Sequence, residues 1–291
     1  MDGAVQILVS GVIVGCIYAM AALGFTIVFN ATRIVNFANG EFLMLGSVAL
    51  AGAITTAGLP LWLAVAGAIA CTAIVGIGLQ VLVLNHARST NELSLVMLTI
   101  GAGLAVRGAA SLVFGREVTF VPDFGLFPMV LMGDVYIVSQ GVWIILTLGV
   151  VSLLLWLLFA RTTFGKAMKA ASDEPRAAAL CGIEPRRAAA AAFGIAAALG
   201  GLAGALVAPI SAAFYENGVF LGLKGFAAAV AGGLGNPLGA VIGGLIIGIV
   251  ESFSAGFVSS GYKDGVAFML LLLVLLLRPS GLLGAASAKR V

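Results

Sequence analysis

Long apolar runs alternate with short polar breaks along the whole chain. With Gly, Pro and charged residues taken as breaks, the apolar stretches fall at 6–29, 41–57, 61–84, 93–114, 141–160, 188–209, 221–234, 238–257 and 265–278. Several exceed the roughly 18 residues that mark a membrane-spanning helix. The pattern predicts an all-α fold, a polytopic transmembrane helical bundle of about nine spans. The seventh stretch sits in LGLKGFAAAVAGGLGNP (221–237), which is interrupted by a lysine, Gly-Gly and Gly-Asn-Pro. Eight spans plus a re-entrant or broken helix is therefore the alternative there, because irregular backbone at membrane depth is tolerated where it is buried in protein or lines a cavity.

Composition sharpens this picture. The 291 residues are 62% hydrophobic, and 40 of them are glycine, about twice the usual share of roughly 7%. Small residues let helices approach closely where lipid removes the hydrophobic drive to pack, so pairs such as Gly11/Gly15, Gly200/Gly204, Gly239/Gly243 and Gly244/Gly248 mark close helix contacts. The start, MDGAVQ, lacks the basic region of a cleavable signal peptide, so the first apolar run is expected to stay in place. Cys16, Cys71 and Cys181 have no paired spacing, and a single histidine, His86, rules out a His-rich metal site. No cofactor or metal is expected in this chain.

The net charge of +3 is small and dispersed among loops, which argues against nucleic acid and is better used to orient the chain. In a nine-span topology one side carries Arg33, Arg88, Arg161, Lys166, Lys169, Arg176, Arg186, Arg187, Arg278, Lys289 and Arg290. The other carries Arg116, Lys224 and Lys263. The positive-inside rule places the richer side in the cytoplasm, with the N-terminus periplasmic and the C-terminus cytoplasmic. The expected organisation is one transmembrane domain over 1–291 with a long cytoplasmic loop at 161–187.

That loop, RTTFGKAMKAASDEPRAAALCGIEPRR, reads as one short helix. Ser172 or Asp173 can cap it, Pro175 suits its first turn, and Gly182 with Pro185 ends it. Ala178, Ala179 and Leu180 would give a small, smooth face. Two readings stay open from composition: a solvated basic loop, or a helix that docks into a partner and transmits a push. An active pump would need such a partner, because the nearest approach to a phosphate-binding loop, Gly165-Lys166, has Ala160 and Ala167 where Gly and Ser or Thr are required.

Two charges lie deep in apolar runs, Arg107 (LAVRGAA) and Glu251 (GIVESFS), where a charged group is costly and seeks a partner inside the bundle. Both spans run in the same direction and both charges sit about 10 Å from the same end, which makes Arg107 and Glu251 candidates for a pair, as a gate or as a structural tie. A third feature is RIVNFANGEF (33–42). Arg33 can snorkel, Asn36 and Asn39 can bond freed backbone groups, Gly40 permits a turn, and Glu41 suits a helix N-terminus.

Several segments occur together in order: GCIYAMAALGFTIVFNATRIVNFANGEFLMLG, ARTTFGKAMKAASDEPRAAALCGIEP, AALGGLAGAL, GLKGFAAAVAGGLGNPLGAVIGGLIIGIVES and LLLRPSGLLG. Together they resemble the permease subunits of ABC importers for branched-chain amino acids, a group that also serves urea, short amides and small carboxylates. The resemblance implies a bacterial inner-membrane subunit that forms half of an alternating-access pathway. It also implies two cytoplasmic ATPase subunits that use ATP and Mg, a second, related and longer permease, and a periplasmic solute-binding protein. The chain would catalyse no covalent chemistry itself. The segment around Pro175–Gly182 is similar to the family's coupling segment, with Glu174, Arg176, Ala178 and Gly182 the positions carried over. The block Asn36, Asn39, Gly40 and Glu41 recurs as a unit, which suggests a hinge or gate in a broken helix. One departure stands out: the family usually has histidine at Asn39, and asparagine cannot titrate. A passive channel or ion-coupled secondary transporter is the alternative of another class.

Overall fold

In a computed structural model, residues 2–87, 91–125, 130–132, 135–257 and 259–284 are described; Arg88, Lys289 and Arg290 of the charge pattern lie outside them. The order is α1 (Asp2–Thr32), α2 (Asn39–Thr55), α3 (Leu61–Gly78), α4 (Glu92–Val113), β1 (Val130–Met132), β2 (Val135–Ile137), α5 (Ser139–Arg161), α6 (Thr163–Asp173), α7 (Pro175–Leu180), α8 (Pro185–Ser211), α9 (Asn217–Gly232), α10 (Pro237–Phe257) and α11 (Lys263–Leu277). α3 runs on through a wider turn at Leu79–Val83 to His86. Each of the nine apolar stretches becomes one of α1–α5 and α8–α11. Six of these are long and apolar enough to cross a membrane, while α2, α9 and α11 are shorter.

Local chemistry sets several of the helix starts. Asn91 accepts from the backbone N–H of Leu93 ahead of α4, and Asn236 accepts from Leu238 and Gly239 ahead of α10. Both satisfy donors that a helix N-terminus leaves free. Prolines occupy the first turns of α7, α8 and α10, where the missing N–H costs nothing.

α1 and α8 form the buried centre. α1 packs against α10, α8 and α9, and α2 against α8, α3 and α9, while α4 and α5 lie at the rim with exposed leucines, valines and isoleucines. The glycine pairs carry these contacts: Gly11 and Gly15 meet the backbone of α10, Gly200 and Gly204 that of α2, and Gly239 and Gly243 that of α9.

Contacts between segments fix which loops share an end. Gln6 donates to Tyr136 O, so the start of α1 and the β1–β2 ribbon lie together. At the other end Arg33 meets Asp173, Asn30 donates to Gly235 O, and Asn236 donates to Leu283 O. Four of the nine separate the members of each of the first two pairs, six separate Asn30 from Gly235, and two separate Asn236 from Leu283, even numbers of the kind that helices passing from end to end give. α9 is one continuous helix from Asn217 to Gly232, and the break within 221–237 falls after it, before α10 begins at Pro237. Irregular backbone also precedes α9, at 212–216, where Thr119 and Ala213 exchange two backbone hydrogen bonds of 3.0 and 2.8 Å.

Candidate functional site

The block after α1 turns back into the bundle. Arg33 adopts a left-handed backbone (φ 58°), its N–H donating to Phe29 O at 2.8 Å. The chain then climbs without helical structure until Asn39. Phe37 N–H donates to Thr99 Oγ1 at 3.2 Å, seven residues into α4, or about 10 Å from that helix's start. α2 is short because this climb precedes it.

Each candidate in the block has a definite seat. Asn36 Oδ1 accepts from Ala38 N–H at 3.1 Å, and Asn39 Nδ2 donates to Ala21 O at 3.1 Å, with both side chains fully buried. Gly40 lies flat against α9: a Cβ there would come 2.9 Å from Gly222 Cα and would collide with Gly218 O. Glu41, in the first turn of α2, receives Nε of Arg107 at 3.2 Å on one oxygen and Nη2 on the other. Arg107 also interacts electrostatically with Glu216 and Tyr215. Outside the helices, hydrogen bonding to Glu216 holds the Tyr215 phenol above its ordinary pKa. Tyr215 in turn lines a cavity of about 210 Å³ together with Gly52, Thr55 and Thr119, at the β-ribbon end of the molecule. A line of polar groups thus runs from the part-buried Glu41–Arg107 pair toward that end.

The candidate Arg107–Glu251 pair does not form. α4 packs on α2 and on the end of α3, whereas α10 packs on α1, α9 and α11, so the two charges never meet despite their matching depth. Glu251 instead pairs with Lys224, with Nζ 2.7 Å from Oε1. Tyr18 Oη donates to Glu251 Oε2 at 3.0 Å and accepts from Lys224 Nζ at 3.1 Å, and Asp264 Oδ1 lies 2.6 Å from the same ammonium. The charge pattern grouped Lys224 with Arg116 and Lys263 on the less basic side. It is buried inside α9 instead, because the helix starts at Asn217, a turn before the apolar run becomes continuous. The signal was present in GLKGFAAAV, where a lone lysine has apolar or small neighbours on both sides.

The long loop holds two helices rather than one. Thr162 Oγ1 accepts from Gly165 N–H and starts α6, an amphipathic helix the one-helix expectation missed. Ser172 and Asp173 finish α6 instead of capping α7. Glu174 takes the cap position without a side-chain bond, and Pro175 stands in the first turn of α7. α7 stops as its spacing implied: Ile183 N–H donates to Ala178 O and Gly182 N–H to Ala179 O, with Gly182 at φ 80°. Glu174, Arg176 and Gly182 are exposed, and Leu180 is 91% exposed. Ala178 is the exception, because it packs into the core near Met168 and Ala171 and is closed to any partner. Asp173 also reaches Arg33 at 2.9 Å, which joins the α6–α7 arm to the block after α1.

Residues 7–275 match the family described as branched-chain amino acid transport system / permease component. The chain belongs to this family. Among other members of the permease family, it is 32% identical over 301 residues to the high-affinity branched-chain amino acid transport system permease protein LivH of Escherichia coli K12, covering 98% of this chain and 97% of that one. BraD of Pseudomonas aeruginosa PAO1, a permease protein of the same description, is 33% identical over 299 residues with the same coverage. The probable branched-chain amino acid transport permease protein LivH of the archaeon Methanocaldococcus jannaschii is 28% identical over 303 residues. No solved structure matches the chain.

Proposed function

We propose that this chain forms half of the translocation pathway of an ABC importer for branched-chain amino acids in a bacterial inner membrane. The whole chain acts as one transmembrane domain. Its basic end, with 161–187, faces the cytoplasm and two ATPase subunits that bind ATP and Mg, while the end carrying the start of α1 faces the periplasm and a solute-binding protein. A second, related permease completes the pathway.

The observation that carries the reading is the Arg33–Asp173 contact at 2.9 Å. It connects the arm suited to an ATPase, through Glu174, Arg176 and Gly182, to the segment that leads into Asn36, Asn39, Gly40 and Glu41. In this reading ATP binding in the partners moves α6 and α7, and the pull reaches the broken start of α2 through Arg33. Glu41 and Arg107 then act as a gate at mid-depth, exchanging their mutual contact as α2 shifts against α9. Asn39 supplies a hydrogen bond to α1 at every pH. Solute choice rests mainly with the binding protein, which delivers what the permease passes.

Purification of the chain with its operon-encoded partners, followed by ATP hydrolysis measured with leucine, isoleucine, valine, urea and short amides on the cognate binding protein, tests this. Stimulation by the branched-chain amino acids supports the reading. Stimulation by urea or amides alone would move the solute class, and a complex without an ATPase would remove the coupling role.

A further inference from the structure

A cavity at the basic end plays no part in the transport reading. Between the basic-end termini of α1, α5, α6 and α10 lies a space of about 450 Å³. Its walls include Leu155, Phe159 and Val241, and two more wall residues, Trp156 and Leu238, are 55% and 70% exposed. They belong to the rim of the bundle, where Leu153, Leu154 and Ile242 are exposed as well, an apolar surface suited to lipid tails. At the polar end stand Arg33, Lys169 and Asp173, and Arg161 stacks over the Trp156 ring at 5.9 Å. Two cations against one carboxylate line the space, with a third cation beside it.

An apolar slot at this rim with a cationic end at helix termini has the chemistry of a phospholipid site. Free phosphate would satisfy the cations and leave the slot unfilled. A neutral headgroup would fill the slot and leave the excess charge unanswered. Basic pockets between transmembrane helices on the positive side attract anionic headgroups, at about 1 kcal/mol per Lys or Arg near the surface. Tryptophan at this level is the usual interfacial residue.

We infer that this slot holds one anionic phospholipid, its phosphate on Lys169 and Arg33 and an acyl chain along Leu155, Trp156 and Phe159. Arg33 then has two competing anionic partners, Asp173 and the phosphate. Occupancy weakens the tie between α1 and the α6–α7 arm, and the headgroup composition of the membrane tunes coupling. Binding itself does not rest on the proposed transport function; only this last consequence does.

The test is native mass spectrometry of the assembled transporter released from bilayer nanodiscs holding equal amounts of phosphatidylglycerol and phosphatidylcholine. One retained phosphatidylglycerol per copy of this chain is expected. Lys169→Ala reduces that retention about fivefold, as loss of one cation predicts, and Arg33→Gln does the same independently. Lys166→Ala, on the same helix and outside the cavity, leaves retention unchanged. Melting temperature, measured alongside, confirms that the variants are folded. Equal retention of the two lipids overturns the inference. So does equal loss in Lys166→Ala and Lys169→Ala, or displacement of the lipid by glycerol phosphate at matching concentration, which would mark a soluble-phosphate site. Lipid selectivity with no change in coupled ATP hydrolysis between the two lipids would leave the site standing and remove the coupling consequence.

Discussion

The ammonium of Lys224 lies 2.7 Å from a carboxylate oxygen of Glu251, and both side chains are less than a tenth exposed. The pair joins α9 to α10, and Tyr18 adds α1 on the third side. Removing one member of a buried pair leaves an uncompensated charge, which typically costs about 3–5 kcal/mol. Lys224→Met is therefore expected to lower the melting temperature in detergent sharply, and Lys224→Met/Glu251→Met to recover part of the loss. Asp264 is 46% exposed and can rehydrate, so Asp264→Asn should cost much less. A double variant worse than the sum of the singles would contradict the pairing.

The re-partnering of the deep charges has its own signature. Glu41→Gln and Arg107→Gln should be non-additive in melting temperature, because the two side chains share two contacts. Arg107→Gln and Glu251→Gln should add. The reverse pattern would restore the pair that matching depth alone suggests.

Close backbone contact at Gly40 leaves no room for a methyl group, since its Cβ would collide with Gly218 O on α9. Gly40→Ala should push α2 from α9 and abolish transport while lowering the yield of folded protein, overpacking of this kind costing about 1–3 kcal/mol. Gly67→Ala in α3, where nothing lies within 4 Å, is the matched control and should be neutral. Equal behaviour of the two variants would contradict a close crossing of α2 and α9 at Gly40.

Proline at Gly182 cannot adopt φ 80° and cannot donate to Ala179 O, so Gly182→Pro dismantles the end of α7. The exposed position predicts normal membrane insertion and lost solute-stimulated ATP hydrolysis. Full coupled transport in this variant would move the coupling contact elsewhere.

What could be read from the chain was the one-dimensional part of the fold. Apolar period and breaks locate all nine apolar helices, and Pro175, Gly182 and Pro185 bound α7, because these are local signals of backbone chemistry. Partner choice is not local. Arg107 and Glu251 share depth and direction, yet which rim helix meets which core helix depends on glycine contacts such as Gly40 with Gly222, and a single span carries no record of those. Ala178 looked outward in a composition reading because alanine fits either face, and only the packing of α7 on α6 and α8 assigns it inward. Lys224 was grouped with the charges of the less basic side for a related reason: a lone lysine among apolar and small residues shows no partner until the fold brings Glu251 to it.

In the proposed function this chain moves solute only as part of an ATP-driven complex. The most direct measurement is leucine uptake into proteoliposomes holding the chain with its ATPases and second permease, with binding protein and leucine outside and ATP inside. Accumulation is expected to require both ATP and the binding protein and to stop with vanadate. Vanadate-insensitive leucine flux through the chain alone would contradict it.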